Sequence, residues 1–304
     1  MKAAGLNLRS VKKDPQSGLG LKVLDSISAP ATTSILNEDA VGYTDNAAWV
    51  IDGATEVSDR PSLTSGISNA ALLARTLSKG MRSAFSRQPL DLELVLASVA
   101  DEVKKTFEPC LQNVDVPPSE QPTATFAMVA LLSNTLHFIG IGDCRIAYQR
   151  TDGKTALFEP SDELGAIENQ ILERRRQILR KYPGEDPWHR LKPFIRSLRE
   201  NVNVQGGYSA VHPTRPWLKR IQHKVVPATR VDKILLATDG FYRLTNVFGL
   251  LAPGPLVNAA ASDGLNRLVN LLRSVENEDE TSVHFPRIKP LDDASAILAT
   301  LVSD

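Results

Sequence analysis

The stretch Ala48-Trp49-Val50-Ile51-Asp52-Gly53 places an Asp-Gly pair directly after an apolar run with the composition of a buried strand. Two later runs repeat this arrangement, because Leu136–Ile141 is followed by Gly142-Asp143 and Lys233–Thr238 by Asp239-Gly240. An Asp at the end of such a run is poorly placed for the core and well placed at its rim. The three stretches therefore predict a sheet-based fold with carboxylates at the strand ends.

Two further acidic clusters lie towards the ends of the chain, Asn37-Glu38-Asp39 and Asp292-Asp293-Ala294-Ser295. Each cluster taken alone is more typical of a turn, because Asp and Gly commonly end strands. Five clusters in this order favour a metal site, since hard divalent cations need several oxygen ligands from distant parts of a chain. Ligands of this kind suit Mg²⁺ or Mn²⁺.

Other kinds of site are disfavoured. The two cysteines, Cys110 and Cys144, are far apart, and the five histidines form no His-Glu-x-x-His motif for zinc. Gly140–Arg145 begins like a dinucleotide-binding fingerprint, but Arg145 stands where its third Gly belongs and the following residues are strand-like. A nucleotide-binding oxidoreductase therefore ranks low.

In this order the five clusters resemble the acidic motifs of the metal-dependent protein phosphatases of the 2C type. The resemblance spans about residues 35–302 and includes the small-hydroxyl stretch Pro122–Phe126 before a central strand. It implies an α+β fold of four layers, an αββα sandwich in which two central antiparallel sheets are flanked by helices, with a helical flap insertion.

The resemblance also implies a set of metal ligands, namely Glu38, Asp39, Asp52, Gly53 through its carbonyl, Asp143, Asp239 and Asp292. Asp52 is similar to a carboxylate that bridges two metal ions, and Asp239 and Asp292 would complete the shell of the first ion. Asp143 is similar to the ligand of a third, weaker ion. The implied cofactors are thus two or three Mn²⁺ or Mg²⁺ ions.

The implied chemistry explains the residue types. A phosphate monoester repels nucleophiles through its own negative charge, so two metal ions would neutralise that charge and turn a bridging water into hydroxide. Glu38 and Asp39 would contribute mainly through bound water. Asp52 and Asp239 would be the catalytic carboxylates.

Two departures from the family pattern indicate a divergent, bacterial-type member. Ala54 follows the Asp-Gly pair where eukaryotic-type members carry a histidine, and Ser34 precedes Glu38 where they carry a phosphate-binding arginine. Arg243 is the candidate replacement for that arginine, because it follows Asp239 by four residues and could contact a phosphate with two N–H groups. Arg243 could equally pair with a carboxylate, and for Arg145 pairing is the favoured interpretation.

The chain organisation predicts an N-terminal lead-in over residues 1–20 and one phosphatase-like domain over residues 21–304, in which residues 159–224 form a flap-like insertion. A basic tract in the insertion, Arg174–Arg176 with Arg180 and Lys181, is either a solvated helix face or a surface that recruits an acidic phosphoprotein. Expected elements are a first strand near 21–24, a hairpin over 39–51, strands over 126–148 and 295–302, and helices near 63–85, 90–107, 161–182, 191–200, 254–262 and 265–275.

The composition of the chain limits the classes of partner that it could bind. The 304 residues include 35 basic and 35 acidic ones, which argues against a general nucleic-acid binder. No apolar run is long enough to span a membrane, and the start lacks the apolar stretch of a signal peptide. We therefore expect a cytoplasmic protein, a monomer by default, with no nucleic-acid or membrane partner.

The predicted function is a metal-dependent phosphatase that acts on phosphoserine or phosphothreonine in proteins. One alternative is a catalytically weak module of the same fold that binds a phosphorylated partner. The other alternative is a phosphatase of small phosphate esters.

Overall fold

The computed structural model describes residues 18–33, 36–87, 90–112, 115–161 and 163–303. The strands in these ranges are β1 (Leu19–Ala29), β2 (Ala40–Thr44), β3 (Ala47–Gly53), β4 (Ala124–Leu132), β5 (Thr135–Ile141), β6 (Arg145–Arg150), β7 (Thr155–Phe158), β8 (Gln222–Pro227), β9 (Val231–Ala237) and β10 (Ala294–Ser303). The α-helices are α1 (Asn69–Phe85), α2 (Leu92–Gln112), α3 (Glu163–Lys181), α4 (Trp188–Arg199), α5 (Asp239–Asn246), α6 (Pro253–Asp263) and α7 (Leu265–Glu278).

The strands form two five-stranded sheets, and each neighbouring pair is antiparallel. The first sheet has the order β1-β10-β9-β6-β7, and the second sheet has the order β2-β3-β4-β5-β8. Consecutive hairpins build most of the second sheet, whereas β10 returns from the end of the chain to pair between β1 and β9. The two halves of the chain therefore meet inside the first sheet.

Both faces of β3 are buried, which explains its continuous apolar run. Trp49 and Ile51 pack with residues of α1 and α2 in one core cluster. Ala48 and Val50 pack with residues of the first sheet in another. Because successive side chains of a strand point to opposite faces, β3 lies between a helical layer and a second sheet.

The outer face of the first sheet is covered by α5, α6 and α7. Leu235 in β9 and Leu298 in β10 pack there with Phe241, Leu256 and Leu272, all of them buried. Two helical layers thus enclose two sheets, which confirms the predicted four-layer αββα architecture.

The interval between β7 and β8 holds α3 and α4, in agreement with the two helices predicted there. These helices pack on each other through Ile171, Ile178, Leu191 and Ile195, and Val57 joins this cluster from the loop after β3. After α4, Val211 forms an isolated antiparallel bridge with Ala124 in β4. We refer to α3 and α4 below as the flap helices.

Differences from the predictions include the starts of α1 and β1 and one additional helix. Helix α1 begins at Asn69 rather than near residue 63, because the hydroxyl of Ser68 accepts a hydrogen bond from Ala71 N and caps the helix. Strand β1 begins at Leu19 rather than Leu21. Helix α5 was not predicted, since its first residues, Asp239-Gly240, have the composition of a turn.

The basic residues of α3 differ in their exposure to solvent. Arg174, Arg176, Arg180 and Lys181 are exposed, whereas Arg175 is buried and donates to Thr281 O. The exposure of these four side chains agrees with a solvated helix face and equally with a recruiting surface, so both interpretations stay open. The predicted lead-in falls mostly on residues 1–17, outside the described residues. Across the described ranges, no helix has both the length and the apolar character needed to cross a membrane.

Candidate metal centre

The carboxylates of the second sheet are linked through Thr125 in β4. Thr125 is the register partner of Asp52 at the end of β3, and its hydroxyl donates a 2.8 Å hydrogen bond to Asp143 Oδ1. Asp143 lies in the turn between β5 and β6, where Gly142 has a φ of 86° and where a Cβ atom would lie 2.2 Å from Thr125 Cγ2. Only glycine satisfies both constraints. The small-hydroxyl stretch and the Gly-Asp motif therefore build one local structure.

The carboxylates of the first sheet come from the segments around β9 and β10. Asp239 begins α5 directly after β9, and Asp292 precedes β10 by two residues. At Gly240, a Cβ atom would lie 1.9 Å from the carbonyl oxygen of Asp293. Any side chain at residue 240 would therefore push α5 away from the segment that carries Asp292.

These residues line one cavity of about 200 Å³, whose walls include Asp52, Gly53, Asp143, Asp239 and Asp292. Its other walls come largely from apolar residues of the flap helices. A second, larger cavity of about 630 Å³ shares Asp143 and Asp239. The fold thus brings together acidic residues that lie up to 240 positions apart in the chain. We call the smaller space the acidic cavity.

Burial and mutual repulsion raise the pKa of two carboxyl groups in this cluster, Asp52 and Asp143. Burial raises the pKa of Asp52 well above its usual value, and the charges of Asp239 and Asp39 raise it further. Burial raises the pKa of Asp143 to about 6, and the charge of Asp239 contributes to this rise. Carboxylates that repel one another at low dielectric are stabilised by a cation placed between them. The carboxylate oxygens of Asp52, Asp143 and Asp239 therefore fit a hard divalent metal ion.

Glu38 and Asp39 are not part of the cavity wall. Glu38 Oε1 accepts a 2.7 Å hydrogen bond from Ser68 Oγ at the start of α1, and Asp39 Oδ2 accepts one of 3.0 Å from Thr238 Oγ1. Burial raises the pKa of both carboxyl groups. The indirect role that the resemblance implies for Glu38 and Asp39 stays a prediction.

Asp292 has a different environment from Asp52. Lys289 Nζ lies 2.5 Å from its Oδ1, and Arg243 Nη2 lies 2.7 Å from its Oδ2. Burial alone would raise the pKa of Asp292, but these two cations lower it. Each oxygen of Asp292 thus already has a cationic partner, so Asp292 fits a metal ion less well than the other predicted ligands.

Arg243 was the candidate for phosphate binding, and its contacts favour the pairing role instead. The residue is buried, and its Nη1 donates a 2.9 Å hydrogen bond to Glu276 Oε1 while Nη2 binds Asp292. Glu276 is fully buried and also pairs with Arg273, which donates to Asp292 O at 2.7 Å. Because Nη1 and Nη2 of Arg243 each already pair with a carboxylate, these contacts favour the pairing role over phosphate binding.

The remaining residues of the motifs have structural roles. Arg145 Nε pairs with Glu159 Oε1 at 3.0 Å, which confirms the favoured interpretation of Arg145. Asp293 accepts hydrogen bonds from Ala31 N and Glu38 N and so holds the segment before β2, a role that the sequence analysis missed. Ala54 lines the acidic cavity without a proton to donate. Ser34 lies outside the described residues.

The acidic residues share a cavity without forming a closed cage. Within the described part of the chain, no three acidic, histidine or cysteine side chains converge as preformed metal ligands. The fit to a metal ion therefore rests on charge and on donor type at Asp52, Asp143 and Asp239, and not on ligand geometry.

Two cations in the wall of the acidic cavity were missed by the sequence analysis, Lys289 and Arg199. Lys289 precedes Asp292 by three residues, and this spacing is a signal that could have indicated the contact. Arg199 ends α4, far from every acidic cluster in sequence. Only the packing of the flap helices reveals it.

Comparisons with known proteins agree with this fold. The family model described as protein phosphatase 2C matches residues 31–292. A search of curated proteins finds no match. Among solved structures, the chain is similar to the catalytic domain of the serine threonine protein phosphatase PstP in complex with two manganese ions, with 15% identity, a TM-score of 0.56, and coverage of 93% of this chain and 99% of that chain.

Two further structures have the same fold. The serine/threonine phosphatase PstP/Ppp of Mycobacterium tuberculosis has 12% identity and a TM-score of 0.56, and the match covers 92% of this chain and 98% of that chain. The serine/threonine phosphatase Stp1 of Staphylococcus aureus has 13% identity and a TM-score of 0.54, with 92% and 95% covered. Identities this low establish the fold alone. Because the family model spans the five acidic clusters from the first to Asp292, this chain belongs to the protein phosphatase 2C family.

Proposed function

We propose that this protein is a metal-dependent phosphatase that hydrolyses phosphoserine or phosphothreonine monoesters in proteins. The observation that carries the proposal is the crowding of Asp52, Asp143 and Asp239 around one cavity, where burial and repulsion raise the pKa of Asp52 and Asp143. Family membership and the similarity to bacterial serine/threonine phosphatases support it. A cytoplasmic location and a monomeric state remain predictions.

The residues that would hold Mn²⁺ or Mg²⁺ are Asp52, the Gly53 carbonyl, Asp143 and Asp239. When bound, such an ion supplies positive charge against the phosphate and acidifies a coordinated water. Thr125 fixes Asp143 through its hydroxyl, and the register of β3 with β4 fixes Asp52 beside it. The chain thus aims its carboxylates into the cavity from rigid strand ends.

The flap helices provide the opposite wall of the acidic cavity. Ile167, Ile171, Ile195 and Leu198 line it together with the carboxylates. Apolar walls exclude water and strengthen electrostatic interactions inside the cavity. Ala54 has no proton to give, so residue 54 cannot protonate the leaving hydroxyl as a histidine would. We therefore expect aryl phosphates, which have good leaving groups, to react faster than alkyl phosphates.

The test is phosphate release from phosphoserine and phosphothreonine peptides and from an aryl phosphate, with added Mn²⁺ or Mg²⁺ and with EDTA. Turnover should require the metal and disappear with the chelator. Competition between a phosphopeptide and a small alkyl phosphate would separate a protein phosphatase from a phosphatase of small esters. A wild-type enzyme that keeps its activity in EDTA would exclude the metal-dependent mechanism.

A catalytically weak module that binds a phosphorylated partner is the second candidate. The contact of Lys289 and Arg243 with Asp292 favours it, because one predicted metal ligand is already neutralised. This candidate predicts that a phosphopeptide binds in the presence of Mn²⁺ without release of phosphate. Calorimetry combined with a phosphate-release assay on the same sample decides between the two candidates.

A further inference from the structure

Arg199 is a buried cation without an acidic partner. It is the last residue of α4, and only 7% of its surface is exposed. Its Nη2 donates a 2.9 Å hydrogen bond to Thr55 O, and no carboxylate of the described residues lies within ion-pair distance of its guanidinium. Burial lowers the pKa of Arg199, as expected for a charge that is incompletely compensated. A buried arginine of this kind is uncommon unless an anion binds to it.

Arg196 provides an internal comparison on the same helix. Its Nη2 donates to Val57 O at 2.7 Å, so both arginines hold the loop that follows β3. Arg196 pairs with Asp59 at 3.2 Å and with Glu120 at 3.3 Å, and it does not line the acidic cavity. Holding the loop therefore does not require an unpaired charge, since Arg196 does so while paired with carboxylates.

The neighbours of Arg199 define what could bind. Thr55 accepts from Arg199 through its carbonyl and from Lys289 Nζ through its hydroxyl, at 2.8 Å. Two cations, Arg199 and Lys289, thus flank Thr55, which follows Asp52 by three positions. The same wall of the cavity is completed by Ile195, which is apolar. A dianionic group that enters between these cations would neutralise the unpaired charge of Arg199 beside a partly apolar wall.

We propose that Arg199 is a substrate-binding residue that holds the phosphoryl oxygens of a phosphate monoester in the acidic cavity. Its guanidinium would donate two parallel hydrogen bonds to two phosphoryl oxygens while one N–H remains on Thr55 O. This would place the phosphate against the wall that α4 contributes, in the same cavity as Asp52, Asp143 and Asp239. The inference rests on the proposed phosphatase function for the identity of the ligand.

The experiment compares Arg199→Gln with Arg196→Gln, using inorganic phosphate as the probe. Inhibition by phosphate and the KM for an aryl phosphate are measured at saturating Mn²⁺. Arg199→Gln should raise both the inhibition constant and the KM at least about tenfold, the effect of losing a charge-assisted hydrogen bond. Arg199→Lys should recover part of this loss, because an ammonium keeps the charge and lacks the fork. Arg196→Gln should leave the inhibition constant within about twofold of wild type.

Calorimetric titration with Mn²⁺ distinguishes phosphate binding by Arg199 from a structural role. A structural role predicts a loss of Mn²⁺ affinity in Arg199→Gln. Mn²⁺ affinity should be unchanged in Arg199→Gln, since Arg199 acts on the phosphate. Unchanged phosphate inhibition in Arg199→Gln, or an equal loss in Arg196→Gln, would overturn the proposal. If Arg199→Gln fails to fold by circular dichroism, Arg199→Lys decides, and wild-type inhibition in that variant overturns the proposal.

Failure of the proposed function gives a different pattern. A wild-type protein that binds no Mn²⁺ and releases no phosphate is not a metal-dependent phosphatase. Direct calorimetric titration with inorganic phosphate still tests Arg199 in that protein. Phosphate binding that is lost in Arg199→Gln and kept in Arg196→Gln supports the inference, whereas absence of phosphate binding to the wild type overturns it.

Discussion

Lys289 Nζ lies 2.5 Å from Asp292 Oδ1, so an ammonium group of the chain itself occupies one oxygen of a carboxylate that the sequence predicts as a metal ligand. Arg243 occupies the other oxygen at 2.7 Å. A divalent ion that approached Asp292 would meet two positive charges, whereas an ion beside Asp52 would meet mainly negative ones. The acidic cavity therefore has one side that is already neutralised and one side that is not.

Lys289→Met should increase the affinity for Mn²⁺. The substitution removes a positive charge from the cavity and frees one oxygen of Asp292, so we expect Mn²⁺ to bind about tenfold or more tightly. Calorimetric titration measures the affinity and the number of ions. Lys233→Met is the matched control, because Lys233 pairs with Asp232 on the partly exposed strand β9. An unchanged Mn²⁺ affinity in Lys289→Met would show that Lys289 and the metal ions do not compete.

Asp52→Asn and Asp239→Asn should each lower kcat for an aryl phosphate by at least about a hundredfold, because each removes a charge from the proposed metal shell. Both side chains line the acidic cavity. Asp232→Asn, which changes a carboxylate at an exposed position of β9, should leave kcat unchanged. Steady-state kinetics at saturating Mn²⁺ measures the effect. Near-wild-type turnover of Asp52→Asn would contradict the role assigned to Asp52.

Arg243→Ala should chiefly destabilise the fold. The substitution leaves Glu276, which is fully buried, without one of its two cations, and breaking such a buried pair costs about 3–5 kcal/mol of unfolding free energy. Chemical denaturation measures this loss. Arg267→Ala removes an exposed pair with Asp263 and should cost less than about 1 kcal/mol. A stable Arg243→Ala protein with a raised KM would restore Arg243 as the phosphate-binding residue.

Asp143→Asn should stabilise the metal-free protein, and more so at pH 8 than at pH 5. The pKa of Asp143 rises from its ordinary value of 3.8 to about 6 on folding. A raised pKa in the folded state means that the folded protein binds this proton more tightly, so stability is lost as pH rises from about 4 to about 6. The loss above pH 6 is on the order of 3 kcal/mol, and Asn, which stays neutral, avoids it. Thermal unfolding in EDTA at both pH values measures the difference. An equal effect at both would show that Asp143 keeps an ordinary pKa.

The four-layer fold could be predicted because its signals are local. In β3, alternate residues face a helical layer and the other sheet, so burial on both sides demands an apolar run such as Ala48–Ile51. Asp52 follows that run because a charged residue is expelled from a core closed on both faces. The hairpin of β2 and β3, with its turn at Asp45-Asn46, is equally local. Helix α5 was missed for the same reason, since its start at Asp239-Gly240 has the local composition of a turn.

The sequence by itself determined which carboxylates stand at strand ends, because burial and turn formation depend on near neighbours along the chain. The partners of these carboxylates were decided only by the tertiary structure. Arg243 pairs with Glu276, 33 residues away, and Arg199 reaches the loop after Asp52 across 144 residues. Charge interactions depend on distance in space and on local dielectric, and neither is encoded in the spacing of residues. The packing of α4 on the loop after β3, and of α7 on the first sheet, therefore decides which cations are neutralised and which is left for a phosphate.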